Sequence, residues 1–316
     1  MRTTSILAVA ASLLLPLTHS ATAAAPKECG LKRYTAIDLQ SGGLVPVKVN
    51  GQPATMTLNM AAYTIVWKRA ADEMKLSRHQ LPMTVNLYDN GARITEYANL
   101  QSLVIGDANL GKATLIVIDR DLGAGIVGAM GMDVFAHADF ELDLAHGKLT
   151  LFSQDHCPGK VVYWTNEYSS APFTISDNGG LHFPMEIEGR KVETSLAPLS
   201  GASVLRADAS RALFDFDEFS PGVEVEQYSG AGTPSAHYRA MKITAPGIVI
   251  TNSKIELRRS NDGCTLYGGK KGTVATYGDD CDGVYPLSIG RNVLQQLRIY
   301  FATKEKVMYF SAADAK

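Results

Sequence analysis

Alternating apolar and polar positions dominate the chain and predict β-structure. The first clear run, VPVKV from residue 45, places an apolar residue at every second position, which is the periodicity of a strand with one buried face. The run ends at Asn50-Gly51, and this pair favours a tight hairpin because both residues tolerate positive φ. A second strand through Leu58 and a β-branched run at 64–66 follow. Residues 45–67 are therefore predicted to form a hairpin and a further strand.

This pattern occurs twice in the same order. Four landmark residues of the two copies coincide without gaps, namely Pro46, Val49, Gly51 and Leu58 with Pro184, Ile187, Gly189 and Leu196. Asn59 then aligns with Ala197. Farther along, GMDVF at 131–135 is echoed by GRNVL at 290–294, and a hairpin-like alternation follows each. Because two different segments recur in the same order, the sequence predicts a tandem duplication of a β-rich lobe.

Shorter signals complete the all-β prediction. Helices are expected at 68–76 and 207–213, at matching places in the two copies. Asp89-Asn90-Gly91, between expected strands at 84–88 and 94–100, predicts another hairpin. The glycine-rich run YSGAG, which begins at Tyr228, occupies the corresponding place in the second copy.

The order of these elements resembles that of the aspartic peptidases. A hairpin, a turn at the place of hydrophobic-Asp-Thr-Gly, a second hairpin and a Gly-x-Gly-Met-Asp segment are arranged as in bacterial retropepsin-like and pepsin-like proteins with two lobes in one chain. GAMGMDVFAHADFELDLAHGKLTLF, at 128–152, is the most specific match, and the resemblance covers about 45–310. It implies an all-β fold of two tandem β-barrel lobes with short helices and an interlobe cleft.

The same resemblance gives the domain boundaries. It implies an N-terminal lobe at 32–155, an interlobe connection at 156–179 and a C-terminal lobe at 180–312. In the family each lobe supplies one aspartate, and the two carboxylates, about 3 Å apart, share one proton while they activate a water molecule.

Both acid positions are substituted in this chain. The resemblance puts Asn59 and Ala197 where the aspartates stand, followed by Met60 and Pro198. Neither the amide nor the methyl group can take a proton from water, and proline has no N–H to donate. We therefore expect no catalytic residue at these positions and a protein that is not a peptidase.

The resemblance also implies a cleft that binds an extended peptide or protein segment. The expected lining residues are Asn59, Ala62, Tyr63, Tyr88, Asp89, Pro198, Leu199 and Tyr228. Tyr88 and Asp89 belong to the hairpin that corresponds to the family's flap, and Tyr228 to its counterpart in the second lobe. Main-chain hydrogen bonds would hold the ligand like an added strand.

Two alternatives stay open at this point. An active aspartic-type endopeptidase would need carboxylates from elsewhere in the chain. Asp133 and Asp139 are candidates by position, although we interpret them as a helix cap or surface carboxylates. A structural envelope protein without a cleft function is the other alternative.

Other chemistries are not favoured by the sequence. The net charge of −2 predicts no attraction to nucleic acid. No CxxC spacing indicates a metal site, and we interpret the scattered histidines as surface or cap residues. The glycines form no phosphate-binding motif ahead of a helix, so no cofactor is expected. The oligomeric state is not predicted.

The N-terminus predicts export. Residues 1–23 read as a signal peptide, with Arg2, an apolar core at 6–17 and Ala21-Thr22-Ala23 before the cut. No later segment is long and apolar enough to cross a membrane. We therefore expect a periplasmic or secreted protein.

Export makes the four cysteines a predicted pair of disulfides. Of the three possible connectivities, we favour Cys29–Cys157, which would tie the ends of the first lobe together. The second bond would then be Cys264–Cys281, which closes a polar loop.

Overall fold

A computed structural model describes residues 30–40, 43–60, 62–89, 92–121, 123, 125–227, 235–260, 262–270, 272–278, 281 and 283–315. The predicted signal peptide, at 1–23, and the hairpin tips at 90–91 and 228–234 lie outside these residues. Among the described helices, none is both long enough and apolar enough to span a bilayer.

The first half of the chain is built from short strands. They are β1 (Arg33–Asp38), β2 (Val45–Val49), β3 (Gln52–Leu58), β4 (Ile65–Trp67), β5 (Ser77–Gln80), β6 (Tyr88–Asp89), β7 (Ala92–Arg93), β8 (Glu96–Leu100), β9 (Leu103–Ile105), β10 (Ala108–Asn109), β11 (Ala113–Ile118), β12 (Ile126–Met130), β13 (Asp139–Asp143) and β14 (Lys148–Phe152). Helix α1 (Lys68–Glu73) follows β4, and a 3₁₀ helix (Met132–Phe135) follows β12.

The second half repeats this composition. Its strands are β15 (Ser169–Pro172), β16 (Thr174–Ile175), β17 (Leu181–Ile187), β18 (Arg190–Leu196), β19 (Ser203–Arg206), β20 (Glu224–Gln227), β21 (Ser235–Ala245), β22 (Ile248–Arg258), β23 (Leu266–Tyr267), β24 (Thr276–Tyr277), β25 (Leu287–Ile289), β26 (Leu297–Ala302) and β27 (Val307–Ala312). Helix α2 (Ala207–Phe214) follows β19, and α3 (Arg291–Leu294) follows β25.

The hairpins predicted at the two repeated segments are confirmed. β2 pairs with β3 across a turn in which Asn50 and Gly51 have φ of 49° and 81°. β17 pairs with β18 across a turn in which Glu188 and Gly189 have φ of 46° and 76°. The apolar residues that alternate along β2 are buried, whereas Lys48 is exposed. The period-2 pattern therefore predicted the buried face of this strand correctly.

The segment after α1 differs from the prediction. The strand expected at 84–88 is reduced to Tyr88 and the following residue, whereas β5 pairs with β8 instead. The Arg93 guanidinium donates to the carbonyl oxygens of Met83 (2.9 Å) and Val85 (3.2 Å). Because a side chain takes these acceptors, this part of the segment forms no strand ladder.

Each half folds into its own mixed sheet. Within the described residues, the first sheet has the order β10-β9-β2-β3-β12-β4-β11-β8-β5, and the second has the order β16-β17-β18-β25-β19-β22-β21-β20. The strand directions are the same in both sheets. The pairs β3–β12 and β18–β25 are parallel. The pairs β4–β12 and β19–β25 are antiparallel. We call these two sheets and their helices the first and second lobes.

A third sheet joins the lobes. Its order in the described chain is β1-β14-β13-β26-β27-β15, so three strands of the first half lie beside three strands of the second half in one layer. At its centre Phe140 of β13 lies opposite Phe301 of β26, and their rings stack 4.5 Å apart. The Phe135 ring also stacks on Phe140, at 4.3 Å. We call this layer the shared sheet.

One predicted disulfide is confirmed directly. Cys264 and Cys281 are bonded, with their Cα atoms 5.8 Å apart. Cys157 is also disulfide-bonded, and its predicted partner, Cys29, lies outside the described residues.

The glycines that begin the repeated GMDVF and GRNVL segments offer a test of the duplicated packing. A Cβ on Gly131 would lie 2.2 Å from the carbonyl oxygen of Ala62, and one on Gly290 would lie 2.2 Å from that of Ala202. We expect Gly131→Ala and Gly290→Ala each to lower the free energy of unfolding by about 3 kcal/mol, because backbone must move to make room. Urea denaturation measures this.

Gly201→Ala is the matched control for both variants. A Cβ at that position would meet no heavy atom within 4 Å, so its urea midpoint should stay at the wild-type value. Equal midpoints for all three variants would contradict the prediction.

Candidate functional site

The two lobes end their central strands in the same way. The residue after β3, Asn59, donates its backbone N–H to the carbonyl of Met130 at 2.7 Å. The residue after β18, Ala197, donates its backbone N–H to the carbonyl of Ile289 at 2.8 Å. These contacts fix the register of both strand ends, so Asn59 and Ala197 occupy equivalent places.

A buried hydroxyl organises the loop after the strand end in the first lobe. Thr64, which is fully buried, donates from its Oγ1 (2.6 Å) and its backbone N–H (2.9 Å) to Oδ1 of Asp133. The backbone N–H of Gly131 donates to the same hydroxyl at 2.8 Å. The hydroxyl therefore joins the loop to the start of the 3₁₀ helix.

The second lobe repeats this network with different side chains. Ser203 donates from its Oγ (2.9 Å) and its backbone N–H (2.8 Å) to Oδ1 of Asn292. Gly290 donates its N–H to the serine hydroxyl at 2.9 Å. Thr, Asp and Gly in one lobe thus correspond to Ser, Asn and Gly in the other, a relation that sequence reasoning missed although both glycine segments had been aligned.

Asp133, an exposed residue in the first turn of the 3₁₀ helix, is also a loop anchor, because it accepts both hydrogen bonds from Thr64. Desolvation raises the pKa of Asp133, while the hydrogen bonds from Thr64 act in the opposite direction. Asn292 makes the equivalent contacts without any charge. The anchor therefore requires an acceptor oxygen and does not require a negative charge.

The loop of the second lobe is closed by its own backbone. The N–H of Ser200 donates to the carbonyl of Ala197 at 2.9 Å, and the N–H of Arg291 donates to the carbonyl of Ser200 at 2.8 Å. Pro198 is buried within this loop, whereas the Leu199 side chain is 38 % exposed. Among the predicted cleft residues of this loop, Leu199 is thus the one that offers apolar surface.

The loop of the first lobe binds the second lobe. The carbonyl of Met60, a buried residue, accepts from the N–H of Leu181 at 2.7 Å. Tyr63 donates its hydroxyl to the carbonyl of Asp177. Gly179 has φ +82°, and a Cβ there would lie 2.7 Å from Cδ1 of the Tyr63 ring. This loop therefore fastens one lobe to the other, which the sequence did not reveal.

The remaining predicted cleft residues are spread over several elements. Asn59 and Ala62 are half-buried in the first loop. Tyr88 lies in β6, paired with Arg93, and is 62 % exposed. Asp89 is the next residue of that strand, and Tyr228 lies outside the described residues.

Two pockets lie beside these elements. A pocket of about 160 Å³ opens between the 88–93 hairpin and β11, and its polar lining comes from Lys68, Arg93, Thr95, Glu96 and Asp119. A second pocket, of about 420 Å³, lies at the lobe junction beside Tyr63, and both Asp133 and Asp177 line it. The first pocket carries both positive and negative side chains and can therefore bind polar groups of a ligand. The second pocket is acidic.

Comparison with known proteins agrees with this geometry. Over 89 % of this chain and 97 % of the other, the fold matches the crystal structure of an aspartic proteinase from Irpex lacteus, with a TM-score of 0.50 and 9 % sequence identity. This chain has the pepsin-like aspartic proteinase fold. At so low an identity the likeness concerns the fold alone. Residues 45–134 match the aspartyl protease family, whereas no curated protein matches the chain.

The family match covers the first lobe's half of the duplicated site. It runs from β2 to the 3₁₀ helix, so it includes Asn59, Thr64, Gly131 and Asp133. The second-lobe counterparts lie beyond it, and their equivalence rests on the hydrogen bonds given above.

The anchor carboxylate gives a sharp prediction. Asp133→Asn should change the free energy of unfolding by less than about 0.5 kcal/mol, because the amide oxygen can accept from Thr64 as Asn292 accepts from Ser203. Asp133→Ala should cost about 1–3 kcal/mol, because two buried donors lose their acceptor. Chemical denaturation of both variants checks this, and a costly Asn variant would show that the charge is needed.

Proposed function

We propose that the protein is a catalytically silent member of the pepsin-like fold that binds an extended peptide or protein segment between its lobes. The observation that carries the proposal is the matched backbone contact of Asn59 and Ala197 at the two strand ends. It supports the assignment of these residues to the two acid positions, since a shifted register would break both contacts.

The chemistry of the two side chains supports the loss of catalysis. The family's mechanism needs two carboxylates close enough to share a proton, so that one acts as base and the other as acid. The Asn59 amide can hold a water molecule but cannot remove its proton, and the Ala197 methyl group offers no polar atom. Both roles are therefore missing from the loops that would carry them.

Several features favour retained binding. The 88–93 hairpin, which we assign as the flap, presents Tyr88 to solvent, and the second loop presents Leu199. Exposed apolar side chains of this kind provide contact area for an extended ligand, while main-chain hydrogen bonds align it. The mixed-charge pocket at the base of the flap supplies polar partners.

The proposed compartment is the periplasm or the medium. The N-terminal segment 1–23 supports export. The Cys264–Cys281 bond is consistent with an oxidising compartment, because cytosolic reductants keep most thiols reduced.

One observation favours an active endopeptidase as the second candidate. Asp133 and Asp177 line the same pocket beside Tyr63, so two carboxylates do meet near the first loop. Against this, Oδ1 of Asp133 already accepts two hydrogen bonds from Thr64, which leaves it poorly placed to hold a catalytic water.

Hydrolysis of a diverse peptide library separates the two candidates. We expect the purified mature protein to release no pepstatin-sensitive products between about pH 3 and 7, the range in which a carboxylate pair is active. An active pepsin preparation serves as the positive control. Pepstatin-blocked products would overturn the proposal, and their loss in Asp133→Asn or Asp177→Asn would identify the acids.

Binding from the same library tests the cleft. We expect Tyr88→Ala and Leu199→Ala each to weaken peptide binding by about 1–2 kcal/mol, close to tenfold in Kd, because each removes exposed apolar contact area. Tyr267→Ala is the matched control, since Tyr267 is similarly exposed, at 58 %, but lies in the disulfide-closed loop. Equal losses for all three variants, or no binder at all, would contradict a cleft function.

A further inference from the structure

Each lobe forms a wedge with one end of the shared sheet. In the first half the wedge lies between β1, an outer strand of the shared sheet, and the hairpin β9–β10. In the second half it lies between β15, the other outer strand of the shared sheet, and the turn that joins β21 to β22. Residues of the 3₁₀ helix line the first wedge, and residues of α3 line the second.

The same close approach occurs in both wedges. Gly106, in the turn of β9–β10, has φ +56°, and a Cβ there would overlap the Thr35 side chain of β1. Gly247, in the β21–β22 turn, has φ +71°, and a Cβ there would overlap the Ser169 side chain of β15. In each half a turn glycine therefore meets a hydroxyl-bearing residue of the outer strand. The two wedges are structural equivalents produced by the duplication.

Apolar side chains fill the second wedge. The opening that remains there measures about 30 Å³. Pro246, Ile248 and Ile250 line it from the β21–β22 turn, and Leu294 and Leu297 line it from α3 and the strand that follows. No charged residue of the described chain lines this opening. The second wedge therefore serves packing.

The first wedge is an open pocket of about 770 Å³. Ligand pockets typically measure about 300–1,000 Å³, so a small organic molecule fits. Leu103, Leu110 and Val134 supply apolar wall. None of the described residues that we expect in the interlobe cleft lines this pocket. It is therefore separate from the cleft, and a ligand in it does not depend on the function proposed above.

Three basic residues line the first wedge, namely Lys32, Arg33 and Lys112. All three are exposed, and none of them forms an ion pair within the part of the chain that the structure describes. By contrast, Arg206 is paired with Asp262 in the second lobe. Unpaired positive charges around one opening attract an anion, and a guanidinium can bind a carboxylate or phosphate group through two hydrogen bonds.

A β-bulge brings consecutive residues to this pocket. The register of β1 against β14 shifts between Arg33 and Thr35, which leaves Tyr34 without an opposite residue. Side chains of a regular strand alternate between the two faces of a sheet, whereas a bulge interrupts the alternation and redirects side chains. Lys32, Arg33 and Tyr34 thus line one pocket although they are neighbours in the chain.

The wall opposite β1 is held by hydrogen bonds. Leu103 donates its N–H to the carbonyl of Gly111 at 3.0 Å, and Leu110 donates its N–H to the carbonyl of Leu103 at 2.8 Å. The N–H of Gly111 donates to Oδ1 of Asn109 at 2.9 Å. With its oxygen turned to Gly111, the Asn109 side chain can offer its NH₂ group to a ligand, and this group only donates. A donor suits an anion.

Two carboxylates reduce the positive charge of the pocket. Oδ1 of Asp133 is engaged by the two hydrogen bonds from Thr64. Asp107 follows Gly106 in the turn, and its backbone N–H donates to Oγ1 of Thr35 at 3.2 Å. The three basic residues outnumber these two acids, so the pocket keeps a positive excess, which Asp107 diminishes.

We propose that the first wedge binds a small organic anion, a molecule with an apolar body and a phosphate or carboxylate group. Arg33 on the β1 side and Lys112 on the hairpin side bind the anionic group. Tyr34 and Leu110 contact the apolar body. The equivalent wedge of the second lobe is closed by apolar residues, so the duplication has left one copy as packing and the other as a ligand site.

Calorimetric titration of the full mature protein tests the site with three probes. These are phenyl phosphate, phthalate, which is an aromatic dicarboxylate, and inorganic phosphate. We expect saturable binding of an aromatic anion about tenfold tighter than that of inorganic phosphate, because the ring gains apolar contacts. The tighter of the two aromatic probes identifies the preferred anionic group. Failure of both to bind, or binding no tighter than that of inorganic phosphate, would overturn the proposal.

Charge variants locate the bound probe. Arg33→Gln and Lys112→Gln should each raise the Kd of the tighter aromatic anion about tenfold, because each removes a charged hydrogen-bond donor. Asp107→Asn should lower the Kd about two- to fivefold, because it removes a neighbouring like charge. All three positions are exposed, so changes of opposite sign report on the charge of the pocket and not on folding.

Lys191→Gln is the matched control. Lys191 is exposed and has no ion pair within the described chain, but it lies on β18 in the second lobe. Its substitution should leave the Kd at the wild-type value. A wild-type Kd in both Arg33→Gln and Lys112→Gln, or an equal loss in Lys191→Gln, would overturn the assignment of the ligand to this pocket.

Discussion

The antiparallel pairing of β13 with β26 is the constraint on which the two-lobed arrangement depends. It sets Phe140 against Phe301 on one face and brings Arg298 to Glu141 on the other. Removing charged groups from water costs several kcal/mol for each ion unless partners and hydrogen bonds compensate. Burial raises the pKa of Glu141, and the Arg298 charge opposes that rise. The apolar face supplies the driving force for the pairing of β13 with β26. The charged face disfavours other registers of the two strands, because these would leave a buried charge without its partner.

The duplicated hydroxyl networks show which parts of the scaffold are fixed. Thr64 with Asp133 and Ser203 with Asn292 make the same contacts with different side chains, so geometry is kept while charge varies. The strand-end residues, Asn59 and Ala197, enter the scaffold through their backbone N–H groups. Because backbone contacts do not depend on the side chain, chemistry at these positions can change without loss of the fold.

Local signals predicted the parts of the structure that local chemistry determines. Alternation and the Asn50-Gly51 turn predicted the first hairpin, and the repeated order of the segments predicted its counterpart in the second half. The contact of Tyr63 with Asp177 joins residues 114 apart in the chain, which no local pattern encodes. Asp139 was interpreted as a helix-cap or surface carboxylate, yet it is fully buried in β13. Residues around Val161 pack against Phe152 and Tyr300 on that face of the shared sheet, a cover that no local pattern indicates.

The position of β26 in the chain has a consequence for how the protein is made. Arg298 and Glu141 are 157 residues apart, and the hairpin β26–β27 lies close to the C-terminal end of the sequence. A first half that emerges from the ribosome therefore contains β13 before its neighbour in the shared sheet, β26, has been made. Such non-local pairing folds slowly and leaves a strand edge open to other chains in the meantime. The shared sheet is thus completed only after β26, from the second half of the chain, has been made.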